Sequence, residues 1–377
     1  MNGWRLHFNV AQASHASAAC TLGPGARSSH CGGFVAVFAG ELSNHLELRR
    51  GLRFAQWRSD SVTETVVEGF AQRGAVFLQD LRGSFVLACW EQQRARLLVA
   101  ADRFGLTPLL WRQQADGVEV VSSPSLLNGA QTQQRQGFMT LPPGVLHWWQ
   151  ADGQQRSLRW WPSWPGSPWS PLPVAGRAKL RGLIRRELER VVAEQLVALT
   201  PANSTIVLLV DGGLCSQILR ALIKQRCRGT LVCVALPIAP AQASQAELAS
   251  QWQVLTQQGH RLAMAALGGD ALFDLGPLAP RSQIDHGLSA IPAADRAVPS
   301  GLPLAAQRTW KQLFDTAVTT AISSSLEAAR AAGLELRLPL LDPQFVELML
   351  RLPAHGQRQR RRLLLESCAD LITEDSR

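Results

Sequence analysis

Ile206-Val-Leu-Leu-Val-Asp211-Gly212-Gly213-Leu214-Cys215-Ser216 is a run of five apolar residues that breaks on an acid and two adjacent glycines. Thr205 to Val210 is apolar without alternation, as a strand covered on both faces of a parallel sheet must be. A helix is expected from Cys215 to Gln225 and a second strand from Thr230 to Leu236, so the stretch opens a strand, loop, helix, strand unit. A glycine-rich turn between a buried strand and a helix amino end is where phosphate binds, because free backbone N–H groups and the helix dipole both point at the anion. The paired glycines let the backbone approach a ligand closely, and Ser216 can donate a hydrogen bond. The Gly-Lys-Ser/Thr ending of a Walker loop is absent. On spacing alone a structural turn reads as well as a nucleotide site.

Outward from this unit, helices are expected from Arg177 to Leu199 and from Ser244 to Gln258. After Ala265 the chain reads as irregular, punctuated by Gly276, Pro277, Pro280, Pro292, Pro299 and Pro303, and helices return at Leu304 to Ala332 and Pro343 to Arg351. In the amino half, Phe34 to Phe38, Gly83 to Trp90, Ala95 to Ala100 and Val118 to Val121 read as strands. Between the first two of these, Val62 to Arg73 has helical spacing, with Ser61 and Asp60 as candidate caps, which makes this half α+β. From about His147 to Val174 the composition shifts to tryptophan, proline, serine and glycine, with Trp148, Trp149, Trp160, Trp161, Trp164 and Trp169 close together. Aromatics beside prolines read as a segment pinned across a junction. The domains expected are therefore 1–146, a linker over 147–174, and 175–377.

A chain of 377 residues suits two domains, and 46% hydrophobic with 18% charged residues is the balance of a packed protein. The apolar runs fall short of the roughly 20 residues that cross a bilayer, and Asn2, Arg5, His7 and Asn9 interrupt any secretion signal, so a cytoplasmic location is expected. Seven cysteines show neither a C-x-x-C pair nor a disulfide framework. The net charge of +9, concentrated in part at Arg358, Arg360, Arg361 and Arg362, raises nucleic acid as a partner, but no recognition signature accompanies it, and a solvated helical face is the plainer reading.

The stretch from Ile206 to Ser216 resembles the S-G-G-x-D-S pyrophosphate loop of asparagine synthetases. Gly333-Leu-Glu-Leu-Arg-Leu-Pro-Leu-Leu-Asp342 is similar to that family's E-x-R-x-P-F-L-D segment, with Leu352-Pro353 after the helix that follows. In the amino half, Val37-Phe-Ala-Gly-Glu-Leu-Ser-Asn-His45 resembles N-G-E-I-Y-N-H of the glutaminase domain. Leu81-Arg-Gly-Ser-Phe85 resembles L-x-G-x-F, and Asp102-Arg-Phe-Gly-Leu-Thr-Pro-Leu109 resembles D-x-x-G-x-x-P-L. The resemblance implies a class II glutamine amidotransferase-like, Ntn-type β-sandwich domain. After it would come a shortened parallel-sheet domain of the pyrophosphate-loop, adenine nucleotide α-hydrolase-like kind. It implies two linked reactions, hydrolysis of glutamine to ammonia and adenylylation of a carboxylate by ATP and magnesium, with an amine displacing AMP.

Several positions depart from the family pattern. The family's glutaminase uses an amino-terminal cysteine, where this sequence reads Met1-Asn2-Gly3, and Ala39 stands in place of an amide donor to the oxyanion, although Gly40 and Glu41 are kept. Asp60 lies near the family's glutamine-binding Ser-Asp but out of register with Glu64. Gly40, Glu41, Asp60 and Glu64 make a degenerate glutamine site, and glutaminase activity is expected to be absent. In the pyrophosphate loop, Cys215 replaces the magnesium-holding aspartate, and Asp211 replaces the opening serine, setting a negative charge against phosphates unless it takes over the metal. Gly268-Gly-Asp-Ala-Leu-Phe273 echoes the family's second acidic loop, with Asp270 as the metal-facing candidate, and a plain loop stays open there. Arg361 corresponds to the lysine that neutralises the adenylylation transition state.

Three readings follow: an ATP-dependent amide-forming ligase of this lineage, a catalytically inactive scaffold that keeps the two domains to bind a partner or metabolite, and a nucleic-acid binder; a protein partner or a homodimer stays open as the association expected. The residues favour the first as ancestry and the second as activity.

Overall fold

The computed structural model describes residues 3–9, 22, 25–53, 56–127, 137–161, 176–197, 205–227, 229–235, 245–273, 304–314, 316–352 and 359–372. The chain forms two compact units that divide near residue 167.

Among its described residues the first unit contains ten strands: β1 (Arg5–Asn9), β2 (Arg27–Ser28), β3 (Phe34–Leu42), β4 (Gly83–Glu91), β5 (Arg96–Ala101), β6 (Leu110–Gln114), β7 (Gly117–Val121), β8 (Met139–Thr140), β9 (Val145–Gln150) and β10 (Gln155–Arg159). They form two antiparallel sheets, β1-β7-β6-β8 and β10-β9-β5-β4-β3-β2. Successive side chains of a strand point to opposite faces, so Leu6, Phe8, Val118 and Val120 of the smaller sheet meet Val86, Ala88 and Val99 of the larger in one apolar core. Burying each such side chain contributes about 1.5–3 kcal/mol for the larger ones. The larger sheet is covered on its other face by α2 (Val62–Arg73), which packs along β3, and a shorter helix α1 (His45–Gly51) follows β3 directly. Both faces being covered explains why β4 reads as continuously apolar.

The structure matches the expected helix at Val62–Arg73 and settles its cap: Ser61 Oγ accepts from Glu64 N at 3.2 Å, and Gly74, with φ +62°, ends it. Gly40 and Gly83 are spacing devices. A Cβ on Gly40 would lie 2.1 Å from Ser84 O and one on Gly83 2.0 Å from Glu41 O, and both have positive φ, so β3 and β4 approach there only because neither residue carries a side chain.

The linker expected from residue 147 is corrected over its first half. Val145–Gln150 and Gln155–Arg159 pair as an antiparallel hairpin at the edge of the larger sheet, and Trp149, Trp160 and Trp161 are buried. Tryptophan contributes large apolar area whether it pins a linker or fills a core, so composition could not distinguish the two. The amino-terminal unit thus extends past residue 146, while Trp164, Trp169 and the remainder to Val174 lie outside the described residues.

The second unit opens with α3 (Arg177–Val197), followed by β11 (Thr205–Val210), α4 (Leu214–Arg226), β12 (Thr230–Ala235), α5 (Gln245–Gln257), β13 (Leu262–Ala265) and α6 (Gly269–Phe273). Beyond it come α7 (Leu304–Leu313), α8 (Thr316–Ala331), β14 (Glu335–Arg337), α9 (Pro343–Arg351) and α10 (Gln359–Ser367). The four strands form a wholly parallel sheet in the order β12-β11-β13-β14. The helical stretch expected over Leu304 to Ala332 holds α7 and α8, with Phe314, just after α7, buried against Trp310 at 4.2 Å between rings. The stretch expected to be irregular after Ala265 begins with the short helix α6. No helix among the described residues is long and apolar enough to cross a membrane.

Candidate functional site

Strand order places the site. From β11 the chain crosses through α4 to β12 on one side, then returns through α5 to β13 on the other, so the connections leave β11 and β13 in opposite directions. In an open parallel sheet the crevice at the carboxyl ends of two such strands is where ligands bind. Asp211 directly follows β11, and Asp270 follows β13 by the turn at Leu267 and Gly268, so residues far apart in sequence meet at this crevice.

The loop is closed on itself. Asp211 Oδ1 accepts from Gly213 N at 2.9 Å and from Ser216 Oγ at 2.7 Å, and Gln217 Nε2 donates to Gly212 O at 3.2 Å. Gly213 is the amino cap of α4 and has no side chain to supply an anion; the carboxylate of Asp211 takes that place at the positive end of the helix dipole. The donors that a phosphate would use are turned onto an acid of the chain itself.

Around this cap the electrostatics are unfavourable to further negative charge. Asp270 lies at the surface, yet the surrounding crevice withdraws solvent from its carboxyl, and this with the nearby Asp211 raises its pKa. Cys215 is buried, and burial first, then Asp270, Asp211 and Cys368, push its thiol well above the ordinary range. The thiol is neutral at physiological pH and works as packing: a Cβ on Gly269 would lie 2.7 Å from Cys215 Sγ. Leu214 stands in the first turn of α4, half-buried. Among the described residues no group of three or more His, Cys, Asp or Glu side chains could hold a metal ion. The residues present therefore do not fit a magnesium–pyrophosphate pair as they stand.

Arg361 is exposed on α10, whereas its neighbour Arg360 is buried. The carboxyl end of α10 brings Cys368 toward Cys215, a proximity with no signal in the sequence. Asp342 of the Pro-Leu-Leu-Asp segment is structural: it caps α9 through Gln344 N and Phe345 N at 3.1 and 3.0 Å and pairs with Arg190 of α3 at 2.8 Å.

In the first unit the four residues of the degenerate glutamine site have different surroundings. Gly40 is pressed against β4, and Glu41 is half-buried. Glu64 is fully buried, with Oε1 accepting from Arg58 N and Oε2 from Ser59 N and Ser59 Oγ, at 2.7 to 2.8 Å. Burial raises its pKa, and these backbone and side-chain donors outweigh that and hold it below the usual value. Asp60 points to solvent, 3.8 Å from Arg49. Ala39 belongs to the apolar core and offers no donor.

Asp102 was legible only as part of a motif, and its geometry explains the motif. Its carboxylate is completely buried and accepts four backbone N–H groups, Phe104 and Leu106 on Oδ1 at 2.9 and 3.1 Å, Thr107 and Phe85 on Oδ2 at 3.0 and 3.2 Å. One side chain thus ties the turn after β5 to the start of β4.

Residues 23–152 match the glutamine amidotransferase domain family. Asparagine synthetase (glutamine-hydrolyzing) 2 of Arabidopsis thaliana is 28% identical over 189 residues, 48% of this chain and 29% of that protein. A Mycobacterium bovis protein carrying the same enzyme name is 38% identical over 97 residues, 25% of this chain and 15% of the other. The amino-terminal half of the chain is similar to asparagine synthetases. The chain spans less than a third of the length of either relative, 29% and 15%. Among solved structures, the Bacillus subtilis glutamine phosphoribosylpyrophosphate amidotransferase complexed with ADP and GMP matches at 16% identity and a TM-score of 0.31, over 67% of this chain and 60% of that one, a score too low to bear on the fold.

Proposed function

We propose that this chain descends from ATP-dependent amide-forming ligases and serves as a binding scaffold without synthetase turnover, because its nucleotide loop is capped by its own Asp211. The observation that carries this is the pair of hydrogen bonds from Gly213 N and Ser216 Oγ to Asp211 Oδ1. A phosphate arriving at α4 must displace a covalently tethered carboxylate and then sit beside Asp270. Nothing in the loop offsets that repulsion, since Cys215 is a buried neutral thiol. Glutaminase activity is absent on the same reading: Glu64 and Gly40 are committed to structure, Asp60 faces solvent, and Ala39 cannot stabilise an oxyanion.

Isothermal titration with magnesium-ATP tests this. The protein as it stands should show no heat up to millimolar ligand, and Asp211→Ser together with Cys215→Asp should gain affinity by at least about tenfold. Because a new carboxylate at 215 is buried against Gly269, Asp211→Ser alone is the companion variant. Micromolar binding by the unaltered chain would overturn the proposal.

A second reading, a working ligase that activates a carboxylate with ATP for attack by an amine, draws on the convergence of Asp211 and Asp270 at one crevice. On that reading Asp211 would swing off the loop to share a magnesium ion with Asp270, and pyrophosphate release on offering a carboxylate would distinguish it.

A further inference from the structure

Charge along α3 is arranged against the helix's own dipole. Its first ten residues carry Arg177, Lys179, Arg181, Arg185 and Arg186 and no acid, whereas Glu187, Glu189 and Glu194 fall in its second half. A helix is stabilised by the reverse order, acids near the amino end and cations near the carboxyl end, so folding does not account for this one. The first turn of α10, Gln359-Arg-Arg-Arg362, repeats the arrangement. The two helices pack together, and Glu366 of α10 joins them, 2.6 Å from Arg177, 3.7 Å from Arg181 and 3.0 Å from Arg362. Arg185 is occupied by Glu189 and Asp370. At helical spacing Lys179 and Arg186 share the exposed face of α3, and Arg361 is exposed on α10; none of the three has a carboxylate partner among the described residues. This surface of the second unit therefore sets six cations, Arg177, Lys179, Arg181, Arg186, Arg361 and Arg362, against the one carboxylate of Glu366.

We propose that this surface of α3 and α10 binds the phosphate backbone of duplex nucleic acid, independently of base sequence and whether or not the nucleotide loop accepts ATP. Five of the six cations are arginines, whose planar fork grips a phosphate through two parallel hydrogen bonds. A duplex offers one negative charge per about 1.7 Å of its axis, more closely set than carboxylates at about 3.3 Å per residue in an extended acidic segment. Neither helix carries an aromatic side chain on which unpaired bases could stack, which selects the duplex over a single strand. A lipid surface would need apolar side chains to insert, and the large exposed ones among the described residues, Leu46, Val76, Leu126, Met139 and Val254, all lie on other elements. Backbone contacts position a protein without reading bases, which agrees with a basic sequence that carries no recognition signature.

Fluorescence anisotropy of the full chain with a labelled mixed-sequence duplex of about 20 base pairs, in DNA and in RNA form, reads the binding. A dissociation constant on the order of 1–10 µM is expected at about 50 mM salt, with log affinity falling against log salt at a slope of about −4 to −5, since each neutralised phosphate contributes about −0.9. Comparable binding of the two forms would mark the shared backbone as the ligand, and a preference would name the form. Lys179→Ala with Arg186→Ala should weaken binding at least about tenfold and make the slope shallower by about 2. Both positions are exposed and unpaired, so the fold stands. Glu366→Gln should act the other way and tighten binding about two- to fivefold. Arg156→Ala with Lys311→Ala, an equal loss of charge at exposed positions on β10 and α7, should change it by less than about twofold. No binding up to about 100 µM, a slope shallower than about −2, or a control pair that loses as much as the α3 pair would each overturn the proposal. So would Glu366→Gln binding no tighter, or anionic vesicles or polyglutamate held more tightly than either duplex.

Discussion

Replacing Asp102 with alanine should lower the stability of the first unit by at least about 4 kcal/mol, because four backbone donors would lose their acceptor at once. Each orphaned buried donor costs about 1–3 kcal/mol, and no solvent reaches a residue this deep. At about 2–4 °C per kcal/mol for a domain of this size, the melting temperature should fall by roughly 8–16 °C, or the unit should fail to fold. Asp102→Asn is the sharper comparison. It keeps the shape but turns an NH2 group toward two N–H donors, so it should fall between wild type and alanine. A urea or thermal melt checks both, and a loss below about 1 kcal/mol for alanine would show that the turn finds other acceptors.

The second large effect is a pH dependence centred on His147. This residue of β9 is 8% exposed, its Nδ1 lies 2.6 Å from Ser157 Oγ, and its ring packs between Trp111 and Trp149 at 5.3 and 4.3 Å. Burial lowers its pKa to about 4, with Gln155 opposing the shift. The folded value lies below the unfolded one of about 6.5, so the unfolded chain takes up the proton first as pH falls. Stability from the neutral ring is complete above about pH 6.5 and is lost progressively toward pH 4, by about 3 kcal/mol in all. Carboxylates also titrate toward the lower end of that window, so the difference between wild type and His147→Phe isolates the contribution. The variant should lack this slope, and an equal slope in both proteins would remove His147 as its source.

The sites differ in how far sequence could reach them. Asp211 and Cys215 stood out because they break a known loop pattern, and a charge in front of two glycines already argued against phosphate. That the carboxylate folds back onto Gly213 N and Ser216 Oγ depends on the loop's backbone path, which no spacing rule contains. Asp270 could be named as an acid after a glycine pair, but the effect of Asp211 on it arises from β13 lying beside β11. Glu64 carried a binding role by resemblance, while the structure shows both its oxygens holding the turn at Arg58 and Ser59. The tryptophans after residue 146 misled for a related reason: a hairpin whose residues are nearly all large or polar lacks the clean alternation that announces a strand.

What the residues determined unaided is local: the buried strand, glycine turn and helix from Thr205 to Arg226, the capped helix from Val62 to Arg73, and the motifs that carry the resemblance. These rest on periodicity, capping and turn chemistry, which act over a few residues. Only the tertiary structure decided which strands are neighbours, that Trp149 belongs to a core, and that Asp102 serves as a four-fold acceptor. Those outcomes come from closing long loops so that distant segments share one apolar interior, and the same local elements are compatible with more than one such closure.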